Sequence, residues 1–365
     1  MDNRKRPGNL YSSANSMLYL DLKDIIREHA LPNLPAKALF RFMAVCRDWK
    51  LHISAPFFHH TQSLCCRAIS GIFCQAHGNP FFLPIHPNSS GVPDPSLSFL
   101  PEPVDIKASS NGLLCCQGRN ESRSYYLCNP ATKQWNKLPN PTAFHGPDPA
   151  LVVIFEPSVL NFVPDYKVIC AFQSADFDDA IEFEVYTSKS NSWSVSGEIC
   201  FGAKRRVLGS GVHASGIVYW NIVGGGIVSF DLSKDRSQLL QNHCYDRNCV
   251  LGTYDGKLCK AAINGLSVSI SALVNVHTNT MQMQSRENMW ERVKIVSLNG
   301  NMFDGVNATN CDIISFSSDV LVLKSGIKLY SYNIKSGETA PLNQPDSHSY
   351  NATTCVPYVN SLVSL

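Results

Sequence analysis

The hydrophobic period changes once along this chain. Between Leu18 and Phe58 apolar side chains recur at helical spacing; beyond about residue 62 they gather in short runs divided by Gly, Pro, Asn and Asp. Asp24 to Ala30 predicts a short helix with Ile25, Ile26 and then Leu31 on its apolar side, and Pro32, Asn33 and Pro35 stop it and start the next. In that second helix Ala38, Leu39, Phe42, Val45 and Cys46 form one continuous stripe. Trp49 and Ile53 carry a third helix, which Ser54-Ala55-Pro56 ends.

In the second region, "AISGIFCQA" and "PFFLPI" flank His77-Gly78-Asn79 and predict a hairpin, followed by a Pro/Ser loop to Pro103. A unit then recurs: a Gly, a short apolar strand, a second strand with an aromatic, a polar turn, and often Trp. Its copies run from Gly112 through Tyr125 to Trp135, from Tyr166 through Phe183 to Trp193, and from Gly216 through Trp220 and Ile227. Two more run from Gly256 to Trp290 and onward from Val320. Turn or Trp positions lie about 45 to 60 residues apart, the repeat length of four-stranded propeller blades. Five copies are visible, and the hairpin near His77 is a candidate for another. Trp135 and Trp193 are expected in the core between blades.

Of the 41 residues from 18 to 58, 24 are apolar or Cys, more than a module of about 40 residues can bury by itself. The surplus either packs on the following domain or docks another protein, and pattern alone leaves the two readings open.

A chain of 365 residues with 44% hydrophobic and 16% charged side chains has the composition of a folded protein. Its net charge of +2 gives no footprint for nucleic acid or acidic lipid. Arg4-Lys5-Arg6 is the one basic cluster, in a polar N-terminal stretch that reads as a disordered tail over residues 1–17. No signal peptide and no membrane span is expected. The fourteen cysteines, scattered singly or in adjacent pairs, read as reduced and mostly buried. The expected location is the cytoplasm, the nucleus or both.

Each catalytic chemistry needs particular residue types at particular spacings. His243, Cys244 and Cys249 are the nearest approach to a zinc set but lack ligand spacing, so no metal is expected. Gly256-Lys257 is followed by Leu258 and lacks the earlier Gly of a phosphate loop, which makes Gly256 a turn residue. "GSGVHASG" holds the residue types of a nucleophile elbow in the wrong order, and His213 and Ser215 read as a strand start. The acidic run Asp176, Asp178, Asp179, Glu182, Glu184 lacks the central Gly of a calcium loop and reads as solvated.

The helical segment resembles the F-box. The matching positions are Ile25-Ile26 in an apolar first helix, Leu34-Pro35, Leu39, Phe42, Val45-Cys46 and Trp49, then Ile53 and the closing "SAPFF". It departs at its start, where Leu20-Asp21 and Leu22-Lys23 lack the proline F-boxes usually carry, and "DIIREHALPNLPAK" holds an extra residue or two. The stretches "NGLLCC…YLCNPATKQWNKLP" and "GVHASGIVYW…IVSFDLSKD" look like the F-box-associated region of plant F-box proteins, which is related to kelch-type propellers.

Together these resemblances imply an α+β chain by segregation, with an F-box helical module at 18–60 and a large all-β, kelch-like β-propeller domain at 61–365. They imply the substrate-recognition subunit of an SCF-type ubiquitin ligase, not itself an enzyme and without a cofactor. The partners implied are the Skp adaptor, through it cullin and RING subunits, and a target protein on the β domain whose identity the loops do not reveal. The adaptor face would draw on Ile25, Ile26, Leu31, Leu34, Pro35, Leu39, Phe42, Val45, Cys46 and Trp49, some of which also pack the module internally. The alternative is a kelch-like propeller that binds a small molecule or carbohydrate, with the helices as its cap.

Overall fold

The structure is a computed structural model that describes residues 22–86, 91–146, 149–156, 165–202, 207–223, 225–240, 249–274, 290–298, 311–343 and 352–365. The expected tail at 1–17 lies outside them.

Four α-helices open the described chain: α1 (Leu22–Ile25), α2 (Ala36–Met43), α3 (Arg47–Ile53) and α4 (Pro56–Cys65). Between α1 and α2 the backbone continues as a wide turn, Ile26–Ala30, and a tight one, Leu31–Asn33. The prolines open helices here. Pro35 is the extended cap before α2, and Pro56 takes the first position of α4, where its missing N–H costs nothing. The third helix ends at Ile53, with Ser54-Ala55-Pro56 after it as expected, and a further helix, α4, then runs across the boundary expected at residue 60. The single stripe is corrected. Helix α2 stops at Met43, and Val45 and Cys46 sit in the corner beyond it, where extended Cys46 caps α3 by accepting the Trp49 N–H at 3.4 Å.

The rest is a β-propeller, as its repeat predicts, and it has six blades, the hairpin near His77 opening the first. Blade 1 starts with β1 (Gly71–Ala76) and β2 (Asn79–Pro84); blade 2 is β3 (Val104–Ser110), β4 (Leu113–Gly118), β5 (Tyr125–Asn129) and β6 (Gln134–Lys137). Blade 3 is β7 (Ala150–Glu156), β8 (Asp165–Gln173), β9 (Ala180–Thr187) and β10 (Ser192–Phe201). Blade 4 follows with β11 (Val207–Ala214), β12 (Ile217–Ile222), β13 (Ile227–Asp231) and β14 (Arg236–Leu240). Blade 5 is β15 (Cys249–Tyr254), β16 (Lys257–Asn264), β17 (Ser267–Leu273) and β18 (Trp290–Ser297). Blade 6 is β19 (Cys311–Ser317), β20 (Val320–Ser325), β21 (Lys328–Asn333) and β22 (Thr339–Leu342). The last strand, β23 (Ala352–Tyr358), returns to pair antiparallel with β1 and closes the ring.

Turn chemistry explains the repeat. The first hairpin of several blades turns on two residues of positive φ, as at Asn111-Gly112, Ser215-Gly216 and Asp255-Gly256, the geometry that suits strand twist. The outer hairpins use an Asx-capped turn: Asp231 Oδ1 accepts the Ser233 and Lys234 N–H groups, and Asn333 Oδ1 those of Lys335 and Ser336.

Six apolar clusters, one at each blade junction, make the core. Leu113, Leu127, Val153 and Val168 meet between blades 2 and 3, and Ile72, Leu83, Val322 and Leu329 between blades 6 and 1. Trp193 belongs to this core, as expected. Trp135 does not: it lies on β6, an outer strand exposed throughout, and is 39% exposed.

Candidate functional site

The helical module divides into a buried seat and an exposed face. Leu31 and Leu39 are fully buried and pack with Ala36, Ile53 and Phe58 on Ala131 of blade 2 and Leu362 of the C-terminal segment. These two were expected on the adaptor face; as placed here they are internal core. Half-buried Ile26, Leu34, Phe42 and Trp49 line the edge of that cluster, with the Phe42 and Trp49 rings edge to face at 5.3 Å. Pro35 is half-buried as the α2 cap.

The seat is fixed by polar groups as well. Gln62, fully buried on α4, donates to the Leu34 carbonyl at 3.1 Å and accepts the Leu362 N–H at 3.0 Å. The Ala36 N–H donates to Asn360 O, and the Asn111 side chain to Ser63 O. Asn129 holds the C-terminal segment from below, donating to Ser361 O and Val363 O and accepting from the Ala131 N–H and the Tyr358 hydroxyl. Gly112, at φ +93°, lets this segment pass: a methyl group there would overlap Ser361 Oγ.

Away from that seat several apolar side chains of the module face solvent. Val45 is 63% and Leu22 69% exposed, and Ile25, Phe40, Cys46 and Leu51 are exposed too. Helix α1 and the turn after it are tied to α3 by the Lys23–Asp48 ion pair at 2.9 Å and by Arg27 Nε donating to His52 Nδ1 at 2.9 Å. Hydrogen bonding and charge from Lys23 hold the Asp48 carboxyl below the usual range. Of the ten expected site residues, Ile25, Val45 and Cys46 are thus openly presented, and Ile26, Leu34, Pro35, Phe42 and Trp49 are half-buried beside them. Sequence reasoning missed Leu22, Phe40 and Leu51. Their signal was available: each is a large apolar residue off the buried stripe.

The inner strands β3, β7, β11, β15, β19 and β23 surround a central channel of about 290 Å³. Among the described residues its wall offers the hydroxyls of Ser109, Ser210, Thr253 and Ser315 and no carboxylate, ammonium or guanidinium. Gly256 is a turn residue at φ +73°, and His213 lies on β11 with Ser215 in the following turn. His243 and Cys244 lie outside the described residues. Among the described residues no group of three or more His, Cys, Asp or Glu is arranged to hold a metal.

One buried polar network stands between blades 2 and 3. Glu184, expected in a solvated run, is fully buried and accepts from the Thr142 N–H and hydroxyl, the Ala143 N–H and His145 Nε2, the last at 2.6 Å. His145 Nδ1 meets the Tyr125 hydroxyl at 3.0 Å. Burial lowers the His145 pKa even against the pull of Glu184, which fits a neutral ring donating from Nε2 and accepting at Nδ1. With both side chains enclosed, the network anchors the loop that carries Thr142 and Ala143.

Residues 72–341 match the family described as the F-box associated beta propeller domain. The chain belongs to the F-box proteins that carry this propeller. Its relatives in Arabidopsis thaliana agree. The F-box protein At5g49610 is 30% identical over 220 residues, spanning 56% of this chain and 60% of that protein. The F-box protein At5g07610 is 29% identical over 211 residues, spanning 52% and 48%. The putative F-box/kelch-repeat protein At1g12870 is 21% identical over 350 residues, spanning 83% and 80%. Matches to the first relatives span about half to three fifths of their own length. In this F-box protein the helical module is thus seated on blade 2 by one face and leaves its other face open.

Proposed function

We propose that this F-box protein is the substrate receptor of an SCF-type ubiquitin ligase. It docks the Skp adaptor through the exposed face of α1, the α2–α3 corner and α3, and holds a target protein on the propeller. The observation that carries this reading is the division of the helical module in a chain of this family: apolar side chains remain in solvent at Leu22, Ile25, Val45 and Leu51 after the seat on the propeller is filled. Cullin and RING subunits join through the adaptor. The chain's contribution is proximity, since a held target meets the charged ubiquitin thioester at high effective concentration. Bond chemistry belongs to the other subunits.

The test is adaptor binding by the Ile25→Asp/Val45→Asp double variant. Both positions are exposed, so the fold should persist while an interface anchor worth about 2 kcal/mol is lost, a weakening of roughly thirtyfold. Undiminished adaptor affinity with an unchanged circular dichroism spectrum would overturn the assignment.

A further inference from the structure

Blade 1 joins the two ends of the propeller segment, and its closing ladder carries a cysteine pair. Cys74 on β1 and Cys355 on β23 are direct partners in the antiparallel register, with Cys355 Sγ 2.8 Å from Cys74 Sγ. Directly opposed residues of an antiparallel pair have Cα atoms about 4.5–5.5 Å apart, inside the range of roughly 4.4–6.8 Å that a disulfide spans without backbone movement. Cys74 is buried with Ile72, Leu83 and Val322 where blade 1 meets blade 6, whereas Cys355 is half-buried and lines the central channel. A small oxidant therefore has a route to one sulfur, and the second waits beside it.

We propose that Cys74 and Cys355 are a reversible disulfide site that locks the ring closure of the propeller, formed when hydrogen peroxide reaches Cys355 through the channel. The Cys355 sulfur attacks one peroxide oxygen; the O–O bond breaks, and the departing oxygen leaves as water with the thiol proton, giving a sulfenic acid. The Cys74 sulfur then displaces the sulfenic oxygen, which leaves as a second water with the Cys74 proton as the S–S bond forms. Two thiols and one peroxide become one disulfide and two waters: the sulfur pair gives up two electrons and the peroxide takes them. A dithiol reductant returns both thiols. The hydrogen bond shared with Cys355, with burial, raises the Cys74 thiol well above the usual range, so it keeps its proton until the second step.

The site is selective within the fold. Cys116 and Cys128 also stand on neighbouring strands, but Cys116 is opposite Tyr126 and Cys128 opposite Leu114, and both are fully buried. Their thiols share a hydrogen bond across the diagonal of that ladder, but neither lines the channel, so peroxide has no such route to them.

The test uses the full chain treated with stoichiometric hydrogen peroxide, blocked with iodoacetamide and digested with trypsin without reduction. Cleavage after Arg67, Lys107 and Lys335 leaves each cysteine alone on its peptide, 68–107 and 336–365. The expected result is a linked 68–107/336–365 species that a phosphine reductant removes, with Tm raised by roughly 5 °C or more in the oxidised form. Cys355→Ser should abolish both the link and the shift; if that variant does not fold, the peptide map of the wild-type chain decides. Cys74 and Cys355 recovered as carbamidomethyl or sulfinic forms without the link would overturn the proposal, as would a link equally abundant between Cys116 and Cys128.

Discussion

Replacing Asn129 with leucine should loosen the helical module from the propeller although Asn129 lies on none of its helices. The side chain is fully buried and makes four hydrogen bonds, to Ser361 O at 3.1 Å, Val363 O at 2.7 Å, the Ala131 N–H at 2.9 Å and the Tyr358 hydroxyl at 3.2 Å. Leucine has similar bulk and none of these groups, so four partners are stranded, each at about 1–3 kcal/mol if it stays buried. Two of the four are carbonyls on the C-terminal segment, which can regain water by lifting away. That movement withdraws Leu362 from Leu31 and Leu39 at about 2 kcal/mol of lost burial. A net loss of about 3–5 kcal/mol is expected. Urea unfolding measures the total, and amide hydrogen exchange locates it: the Ala36 N–H, bonded to Asn360 O, and the Leu362 N–H, bonded to Gln62, should lose protection before the blades do. Wild-type exchange at both amides, with stability within about 0.5 kcal/mol of wild type, would refute the reasoning.

Other consequences can be checked by thermal unfolding. The lowered His145 pKa means that the unfolded chain binds the extra proton more readily; the stability this group contributes is complete above its unfolded value of about 6.5 and drains as pH falls through that value toward the native pKa. Tm should therefore fall between pH 7 and pH 5, and less steeply in His145→Gln; parallel profiles would show that His145 is not the titrating group. On β15, a methyl at Gly252 would overlap the Phe316 carbonyl oxygen of the neighbouring inner strand, whereas one at Gly197 meets nothing within 4 Å. Gly252→Ala should cost about 2 kcal/mol or more and Gly197→Ala about 0.5 or less, and equal losses would discount the close approach of blades 5 and 6.

The parts of this structure legible in sequence were those with local signals. The middle hairpin of several blades could be read because a Gly-containing entry turn or an Asx-capped outer turn leaves a fixed mark beside an apolar pair of strands, as at Gly112, Asn129 and Gly256. The inner strands left no such mark. Residues such as Ser109, Gly211 and Thr253 line a polar channel, and their pairing is decided by neighbouring blades rather than by adjacent residues. The same limit governed the helical module. Its helices follow from apolar spacing, but only the arrival of Leu362, more than 300 residues later, decides that Leu31 and Leu39 face inward while Val45 faces out. Glu184 was misread for a related reason: its acidic neighbours are solvated, and the three residues that enclose it come from a loop about 40 positions upstream.

The ring closure also sets an order of events during synthesis. The helices leave the ribosome first, yet the groups that seat them, Asn360 and Leu362, leave after every blade has been made, as does β23. Until then β1 presents an open edge and Leu31 and Leu39 have no lid. A chain interrupted anywhere before Tyr358 would carry its helices on an unclosed ring, with the seat around Leu31 and Leu39 uncovered and available to chaperones and proteases. Rigid mounting of the helices therefore waits on the last strand and on the segment that follows it, through Asn360 and Leu362.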